Sequence, residues 1–338
     1  MSSTNNRILL FALVVISILF SCEPTTEERC VVSPDIKVDL NFKSFEDSIP
    51  SIQTKKQLVG FLTRHPELRD IFFGRGHFPS DSVFINQLFN KFTHPAFDTL
   101  LMEVKKVFGD SHELQAEFQN AFANIKYYYP NFKTPRIETV ITGLETDIFV
   151  SDSLIIVGLD YYLGKKAKYR PNMYEYMLKR YEKNFIVPSA LLLIGIDSKY
   201  DRVNMNDRTM LAEMIAYGKA YYFAKHMLPC TPDSAFIGYS EKEIEGTKVN
   251  QDVIWKRLVD NEVLFSTSSQ MKQKYISERP KTLEIGNECP GRIGLWVGWQ
   301  IVNEYARQNP KTSLPELMQI VDAQKILRGS KYSTQVIQ

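Results

Sequence analysis

The strongest constraint on the fold comes from an apolar segment near the C-terminus, residues 292–306, in which glycines recur at helical spacing. Gly291, Gly294 and Gly298 are three and four residues apart, so they lie on one side of a helix and leave a groove there. Each interior glycine costs a helix ~1 kcal/mol relative to alanine. Close packing is the physical reason to accept that cost, and the segment therefore predicts a buried helix that another backbone approaches.

A second segment, residues 209–226, is the natural partner for that helix. Its apolar side chains recur at Met210 and Met214 and continue through Tyr217 and Tyr221, which makes one stripe of a helix. Gly218 lies within this stripe, where it allows close approach. We therefore predict that Gly218 packs against the glycines of the first helix.

The rest of the chain alternates between strand-like and helical patterns. Alternating apolar residues predict a half-buried strand at 36–42, and apolar groups at helical spacing predict short helices, a helical lobe, over 51–130. β-branched runs predict a small antiparallel sheet at 137–142, 148–150 and 154–157. Further helices are predicted near 172–185, 208–226, 250–265, 268–276, 292–307 and 313–328. The chain is thus expected to be α+β and predominantly helical, with one domain at 35–338.

The N-terminus predicts export and membrane anchoring. Residues 8–20 form an uncharged apolar run behind a single arginine, shorter than the ~20 residues of a membrane span. This arrangement is typical of a cleaved signal peptide, here residues 1–21. Leu19-Phe-Ser-Cys22 resembles a lipobox, so Cys22 is predicted to carry fatty acids such as palmitate, with 22–34 as the tether. The alternative is an ordinary signal peptide with an incidental cysteine.

Composition and charge limit the partners. The chain has 41 Lys+Arg and 39 Asp+Glu, and cleavage of one arginine with the signal peptide leaves 40 against 39, a net charge of +1. A nucleic-acid-binding domain has a basic surplus or a basic stripe. We therefore predict no nucleic-acid partner. The predicted signal peptide and lipid anchor indicate a location in the cell envelope, lipid-anchored and facing the periplasm or the cell surface.

Three cysteines remain after lipidation, Cys30, Cys230 and Cys289. An exported chain folds in an oxidising compartment, where disulfides persist. A bridge between Cys230 and Cys289 is one expectation, and isolated buried thiols are the other, because sequence alone does not give connectivity.

Standard catalytic signatures are missing from the sequence: there is no Gly-x-Ser-x-Gly, no phosphate-binding glycine loop, no Cys-x-x-Cys and no His-Glu-x-x-His. No two histidines share a helical turn, so no metal or other cofactor is predicted. The residues that could form a catalytic cleft are Glu213, Lys219, Asp160 and Glu304. A buried ion pair or a helix-surface charge would explain the same residues.

Five stretches carry a resemblance to a known family: 152–164, 214–219, 238–240, 290–302 and 330–332. The most specific are Gly-Leu-Asp-Tyr-Tyr-Leu-Gly, which ends at Gly164, and Pro-Gly-Arg-Ile-Gly, which begins at Pro290. Together they look like the gliding motility lipoprotein GldB family, over nearly the whole mature chain. The resemblance implies an envelope lipoprotein required for gliding, with other gliding or type IX secretion proteins as partners.

A more distant resemblance concerns the helix at 209–226, which is similar in setting to the active-site helix of predicted zinc peptidases. If Glu213 holds the glutamate position of their His-Glu-x-x-His motif, Ala212 and Ala216 stand where the two histidine ligands would be. Zinc needs about three protein ligands. This resemblance therefore implies a degenerate zinc-peptidase-like core, a pseudo-peptidase without its metal.

Three functions are open, of which the first is the one that the family resemblance implies and the other two rest on the residues. The first is a non-enzymatic scaffold or accessory to adhesin export and type IX secretion. The second is a metal-independent hydrolase that uses the cleft residues, and the third is a ligand-binding module built on the aromatic residues Tyr127–Tyr129, Trp296 and Trp299. The arrangement of Glu213, Lys219 and Glu304 discriminates between them, because a hydrolase needs these side chains to converge on an open pocket.

Overall fold

The computed structural model describes residues 36–332, and within them a four-stranded sheet is covered by helices. Its strands, in the spatial order β1-β2-β4-β3, are β1 (Phe42–Ser44), β2 (Arg136–Val140), β3 (Ile148–Val150) and β4 (Leu154–Gly158). β2 lies parallel to both β1 and β4, and only β3 and β4 pair antiparallel. The sheet is therefore mixed. The antiparallel arrangement expected among β2, β3 and β4 is right for β3–β4 and wrong for β2–β4. A long crossover joins β1 to β2, which permits parallel pairing.

Four helices occupy the predicted helical region: α1 (Lys55–Arg64), α2 (Asp81–Phe92), α3 (Pro95–Phe108) and α4 (His112–Tyr128). Local capping explains where they begin. The hydroxyls of Thr54 and Ser80 accept backbone N–H groups of α1 and α2, and Pro95 takes the first position of α3. Buried residues of these helices belong to the same hydrophobic cluster as those of the C-terminal half.

The second half of the described chain contains ten helices. They are α5 (Glu175–Leu178), α6 (Ile186–Ile196), α7 (Met210–Met227), α8 (Asp233–Ile237), α9 (Glu241–Val249), α10 (Gln251–Asp260), α11 (Ser269–Tyr275), α12 (Ile293–Gln308), α13 (Leu314–Met318) and α14 (Ala323–Ser330). The long predicted helices at 208–226 and 292–307 are present almost unchanged. Only short helical turns occupy 172–185, and residues 319–322 interrupt the helix predicted at 313–328.

The strand predicted at 36–42 is also wrong in position, since β1 starts only at Phe42. The expected alternation is nevertheless present in the burial, with Val38 buried between the exposed Lys37 and Asp39. The carbonyl of Val38 accepts the side-chain amide of Gln119 at 2.8 Å. A helix side chain therefore takes the hydrogen bond that a neighbouring strand would take.

Helices α7 and α12 touch along the predicted glycines. A Cβ built on Gly218 would lie 2.4 Å from the carbonyl oxygen of Gly298, and one built on Gly298 would lie 1.9 Å from the carbonyl oxygen of Met214. Any side chain at either position would overlap backbone atoms. We call this contact the glycine seam. Because the two backbones are in contact there, the glycine seam fixes how α7 and α12 lie against each other.

The other two predicted glycines pack against different segments. A Cβ on Gly294 would lie 3.1 Å from the carbonyl oxygen of Tyr275, at the end of α11, and one on Gly291 would lie 1.8 Å from that of Arg279. The start of α12 is therefore held by the segment that follows α11, and the middle of α12 is held by α7.

Candidate functional site

Lys219, one of the predicted cleft residues, is a buried structural cation. Its ammonium pairs with the buried carboxylate of Asp201. It also donates to the carbonyl oxygens of Arg202 at 2.7 Å, Ile320 at 3.0 Å and Met318 at 3.2 Å. Burial raises the pKa of the Asp201 carboxyl to about 6 and lowers that of the Lys219 ammonium. Four acceptors surround one ammonium, so Lys219 ties two loops to α7.

Glu213 lies on the same helix and lines a groove of about 240 Å³ together with Ala212 and Ala216. Its carboxylate pairs with the ammonium of Lys272 at 2.7 Å, and its side chain is 38% exposed. Lys219 lines this groove too, but its ammonium is already bound by its four oxygen partners. The groove therefore brings together only two of the predicted cleft residues.

The other two predicted cleft residues lie elsewhere. Asp160 follows β4 and is fully buried, where its carboxylate accepts the backbone N–H groups of Thr142 at 3.0 Å and Leu144 at 2.6 Å. Burial raises the pKa of Asp160. Glu304 pairs with Arg307 at 2.9 Å on the outer side of α12. Asp160 fixes a loop and Glu304 makes a helix-surface pair, so the four residues do not form one cleft.

The predicted aromatic binding cluster is also divided. Trp296 and Trp299 are 1% and 2% exposed and belong to the hydrophobic core, whereas Tyr127 is 49% exposed. Trp299 stacks on Tyr221 of α7, with ring centroids 5.2 Å apart. The two tryptophans therefore stabilise the helix pair, and they offer no surface to a ligand.

Two arginines that share one carboxylate lie beside the start of α12. The guanidinium of Arg180 donates to Glu278 at 2.6 Å, and the Nε of Arg292 lies 3.6 Å from the same carboxylate oxygen. The Arg292 side chain is only 13% exposed, against 22% for Arg180 and 32% for Glu278. Two cations facing one anion leave one positive charge in excess, in a partly desolvated place where its field is strong. We call Arg180 and Arg292 the arginine pair, and Glu278 is the carboxylate that they share.

The backbone at Arg292 is held in an unusual conformation. Its φ is +60°, in the left-handed region, where a residue with a Cβ pays roughly 1–2 kcal/mol. Arg292 also lies at the N-terminal end of α12, where the helix dipole does not favour a cation. Its guanidinium is held in place by donation to the carbonyl oxygen of Ile237. Such strain persists only where the surroundings impose it, and it is common at functional sites.

The segment after α8 supplies those surroundings. Gly238 has φ +74°, and a Cβ there would lie 2.2 Å from the Cδ of Arg180 and 3.4 Å from an Nη of Arg292. The hydroxyl of Tyr239 donates to the carbonyl oxygen of Gly291 at 2.6 Å. A glycine at 238 therefore gives both arginines their room, and Tyr239 fixes the turn that carries Arg292.

A pocket of about 270 Å³ opens beside the arginine pair. Tyr217 and Tyr221 of α7 line it together with Arg180 and Arg292. Tyr221 is within hydrogen-bonding reach of Arg292, and burial raises the pKa of its phenol, so it stays neutral and able to donate. At this end the pocket presents hydrogen-bond donors and positive charge.

The remaining walls of the pocket differ in character. α6 contributes an apolar wall that includes Leu192, Leu193 and Ile196, the last two 46% and 42% exposed. Asp147 also lines the pocket, and its carboxylate accepts the hydroxyl of Tyr181 at 3.2 Å. The pocket thus combines a cationic part, an apolar wall near the surface and one carboxylate.

The sequence analysis did not predict this site, although it singled out stretches that contribute residues to it. Tyr217, Gly238 and Arg292 lie in three of the stretches that carry the family resemblance, but the interpretation of these stretches concerned packing. A usable signal was the charged Arg292 between glycines in an otherwise apolar segment. Arg180 and Glu278 gave no signal, since they are 98 residues apart and meet only in the fold.

The cysteines correct one expectation. Cys289 is a free thiol, while Cys230 is disulfide-bonded, so a bridge between these two residues is wrong. Burial raises the pKa of the Cys289 thiol to about 12, which keeps it protonated. Cys22, the signal peptide and the tether lie outside the described residues.

Within residues 36–332 no helix is long and apolar enough to cross a membrane, and no three His, Cys, Asp or Glu side chains are grouped to hold a metal ion. No curated protein and no solved structure matches the chain, so the likeness to zinc peptidases stays a prediction. The family model described as gliding motility protein GldB, a lipoprotein family, matches residues 26–334. That match spans nearly the whole sequence, and the chain therefore belongs to the GldB family of gliding motility lipoproteins.

Proposed function

We propose that this gliding motility lipoprotein is a non-enzymatic component of the cell envelope that acts by binding a partner of the gliding machinery. The observation that carries the proposal is the pocket at the arginine pair. Tyr162, Tyr217 and Arg292 of its lining come from three of the stretches that carry the family resemblance, and at one end two guanidiniums share a single carboxylate. Such a site is suited to binding, because it holds and orients a ligand through fixed groups.

A catalytic role finds less support in the geometry. Glu213, Lys219, Asp160 and Glu304 are each held by a partner of their own, and only the first two line one groove. General acid–base or nucleophilic catalysis needs two such groups within hydrogen-bonding reach of one reacting atom. A metal-independent hydrolase at the Glu213 groove is the alternative, since that groove is open to solvent.

The more detailed part of the proposal is a role as scaffold or accessory to adhesin export by the type IX secretion apparatus. It rests on the family resemblance. The lipid anchor at Cys22 would keep the chain at a membrane of the envelope, where the pocket meets other gliding or secretion proteins.

Photo-crosslinking in living cells tests the binding role. A photoreactive phenylalanine analogue at Leu193, on the exposed wall of the pocket, should form an adduct with an envelope protein. Val59 on α1 is the matched control, because both side chains are 46% exposed and Val59 does not line the pocket. Adducts at both positions, or at neither, would contradict a binding role for this face.

Catalysis is tested by Glu213→Gln, which keeps the size and the hydrogen bonding of the side chain but removes its charge. Cells that carry this variant should glide at the normal rate, with normal abundance of the protein in the membrane fraction. Lost gliding at normal abundance would favour the hydrolase instead. Lys272→Met is the control for the broken ion pair, since it removes the partner of Glu213 without touching the carboxylate.

The anchor is tested by Cys22→Ser, which removes the thiol that takes the lipid. The variant should lose labelling by radioactive palmitate and leave the membrane fraction. Cys289→Ser serves as the control, because its thiol belongs to the folded domain. Continued labelling of the Cys22 variant would show that the predicted anchor is wrong.

A further inference from the structure

The geometry points to a specific ligand for the pocket at the arginine pair: the α-carboxylate of an apolar amino-acid residue, either a peptide C-terminus or a free amino acid. This inference rests on the proposed binding role and names the chemistry that the pocket recognises. It follows from three properties of the pocket, which are its charge, its apolar wall and its volume.

The charge favours a single carboxylate. Arg180 and Arg292 share Glu278, so the arginine end of the pocket has one positive charge in excess, and Asp147 on another part of the lining makes the four groups neutral together. A guanidinium matches the planar, two-oxygen geometry of a carboxylate. Tyr217 and Tyr221 line the same pocket, and the Tyr221 phenol, which burial keeps protonated, can donate a further hydrogen bond. A phosphate dianion would exceed the available positive charge, since the carboxylates of Glu278 and Asp147 both remain near it. A monoanion therefore fits better.

The apolar wall and the size limit what the carboxylate is attached to. Leu192, Leu193 and Ile196 form a wall that leads from the pocket to solvent. A volume of about 270 Å³ is below the usual range of about 300–1,000 Å³ for ligand sites, so it holds one or two residues and excludes a nucleotide-sized cofactor. An aliphatic side chain next to the carboxylate would bury its surface against α6.

Asp147 would contact the two sources in different ways. Its carboxylate lines the pocket and accepts from the Tyr181 hydroxyl, and one of its oxygens also accepts the N–H of Ile148. It cannot bind the ligand carboxylate, but it can accept the ammonium of a free amino acid or the amide N–H of a peptide. A free amino acid would gain a charge pair with Asp147, and a peptide would gain further contacts along α6.

The binding experiment uses the mature lipoprotein in detergent and a short peptide that ends in leucine and carries an N-terminal fluorophore. Fluorescence polarisation should show saturable binding of the free acid and about tenfold or more weaker binding of the same peptide with an amidated C-terminus, which lacks the charge-assisted bonds. Equal binding of acid and amide would overturn the inference. No saturable binding of the peptide acid, together with no binding of leucine in direct calorimetric titration, would overturn it as well.

Competition separates the sources. Leucine, N-acetyl-leucine and inorganic phosphate are each added against the labelled peptide. Stronger competition by leucine than by N-acetyl-leucine assigns the site to free amino acids, and the reverse order assigns it to peptide ends. Phosphate that competes better than either would overturn the inference, because it would make charge alone the determinant.

Two variants with opposite expected effects on binding distinguish a lost contact in the pocket from a folding defect. Arg180→Met should weaken binding of the peptide acid by about tenfold or more. Glu278→Gln should tighten it at least about threefold, since the competing charge is gone. Arg279→Met is the matched control, because this arginine is 25% exposed and does not line the pocket. It pairs with Glu284, 3.0 Å away. Weaker binding by Glu278→Gln at normal melting temperature would overturn the inference and leave the proposed function to the crosslinking result.

Discussion

Two buried cations lie against the same pair of helices, α7 and α12, and the chain surrounds them differently. Lys219 is 1% exposed and has four oxygen partners, one of them a buried carboxylate. Arg292 is also mostly buried, but it shares its carboxylate, Glu278, with Arg180. The first cation is saturated by its own chain, whereas the second retains positive charge and faces a pocket.

This difference teaches how a buried charge should be interpreted. A buried cation has to be paired or hydrogen-bonded, because desolvation without partners is expensive. Where the chain supplies every partner, as at Lys219, the group holds the structure together. Where two cations share one anion beside an open pocket, as at Arg180 and Arg292, an outside anion can complete the set.

The largest expected effect is that of Lys219→Met. It leaves Asp201 buried without its counter-charge and three carbonyl oxygens without a donor, so the free energy of unfolding should fall by ~3–5 kcal/mol. Urea denaturation measures it. Lys256→Met is the control, because that ammonium is 74% exposed in its pair with Asp260 and should contribute less than ~1 kcal/mol. Similar losses of unfolding free energy for both variants would show that Lys219 stabilises the fold no more than a surface lysine does.

The glycine seam gives the next effect. Gly298→Ala places a methyl group where Met214 has its carbonyl oxygen, 1.9 Å away, and overpacking of this kind costs ~1–3 kcal/mol or more. Gly246→Ala on α9 is the matched control, because a Cβ there meets nothing within 4 Å, so it should be neutral or stabilise by up to ~1 kcal/mol. Equal melting temperatures for the two variants would show that α7 and α12 are not in backbone contact.

The glycine seam also shows what sequence could predict. Gly218, Gly298 and the long helices were found from helical spacing, and β3 and β4 were found from their β-branched runs, because all of these leave a local pattern in the sequence. Helix α6 was missed since nearly all of its residues are apolar and no polar face marks a period. The direction of strand pairing was wrong because a strand's own pattern does not depend on the direction of its neighbour.

The site was harder to predict than the fold. Lys219 was expected either as a catalytic group or as a buried ion pair, and sequence could not decide, because Asp201 and the three carbonyls reach it only through tertiary packing. The arginine pair depends on a meeting of residues 98 positions apart. Of these residues only Arg292 leaves a signal in the sequence, as a charged residue between glycines. Its positive φ, which distinguishes it from a surface arginine, is a property of the folded backbone.

A further effect concerns the pH dependence of stability at the saturated cation. Burial raises the pKa of Asp201 from 3.8 to about 6, so its contribution to stability is fully present below about pH 4 and is lost as pH rises through about 6. The wild type should lose stability relative to Asp201→Asn between pH 4 and 6.5, because asparagine does not titrate. Free energies of unfolding in urea over this range measure the difference. A constant difference would show that Asp201 is ionised throughout.

The smallest effect is expected at the unsaturated cations. Arg180→Met leaves Glu278 with Arg292, 3.6 Å away, so no buried charge loses its last partner, and the free energy of unfolding should change by less than ~1 kcal/mol. Urea denaturation beside Lys219→Met makes the comparison direct. A loss as large as that of Lys219→Met would make the arginine pair a structural element, and the positive charge beside the pocket would no longer distinguish it from Lys219. A small loss would show that the stability of the fold does not depend on Arg180. The variant would then remove a guanidinium from the pocket lining without unfolding the protein.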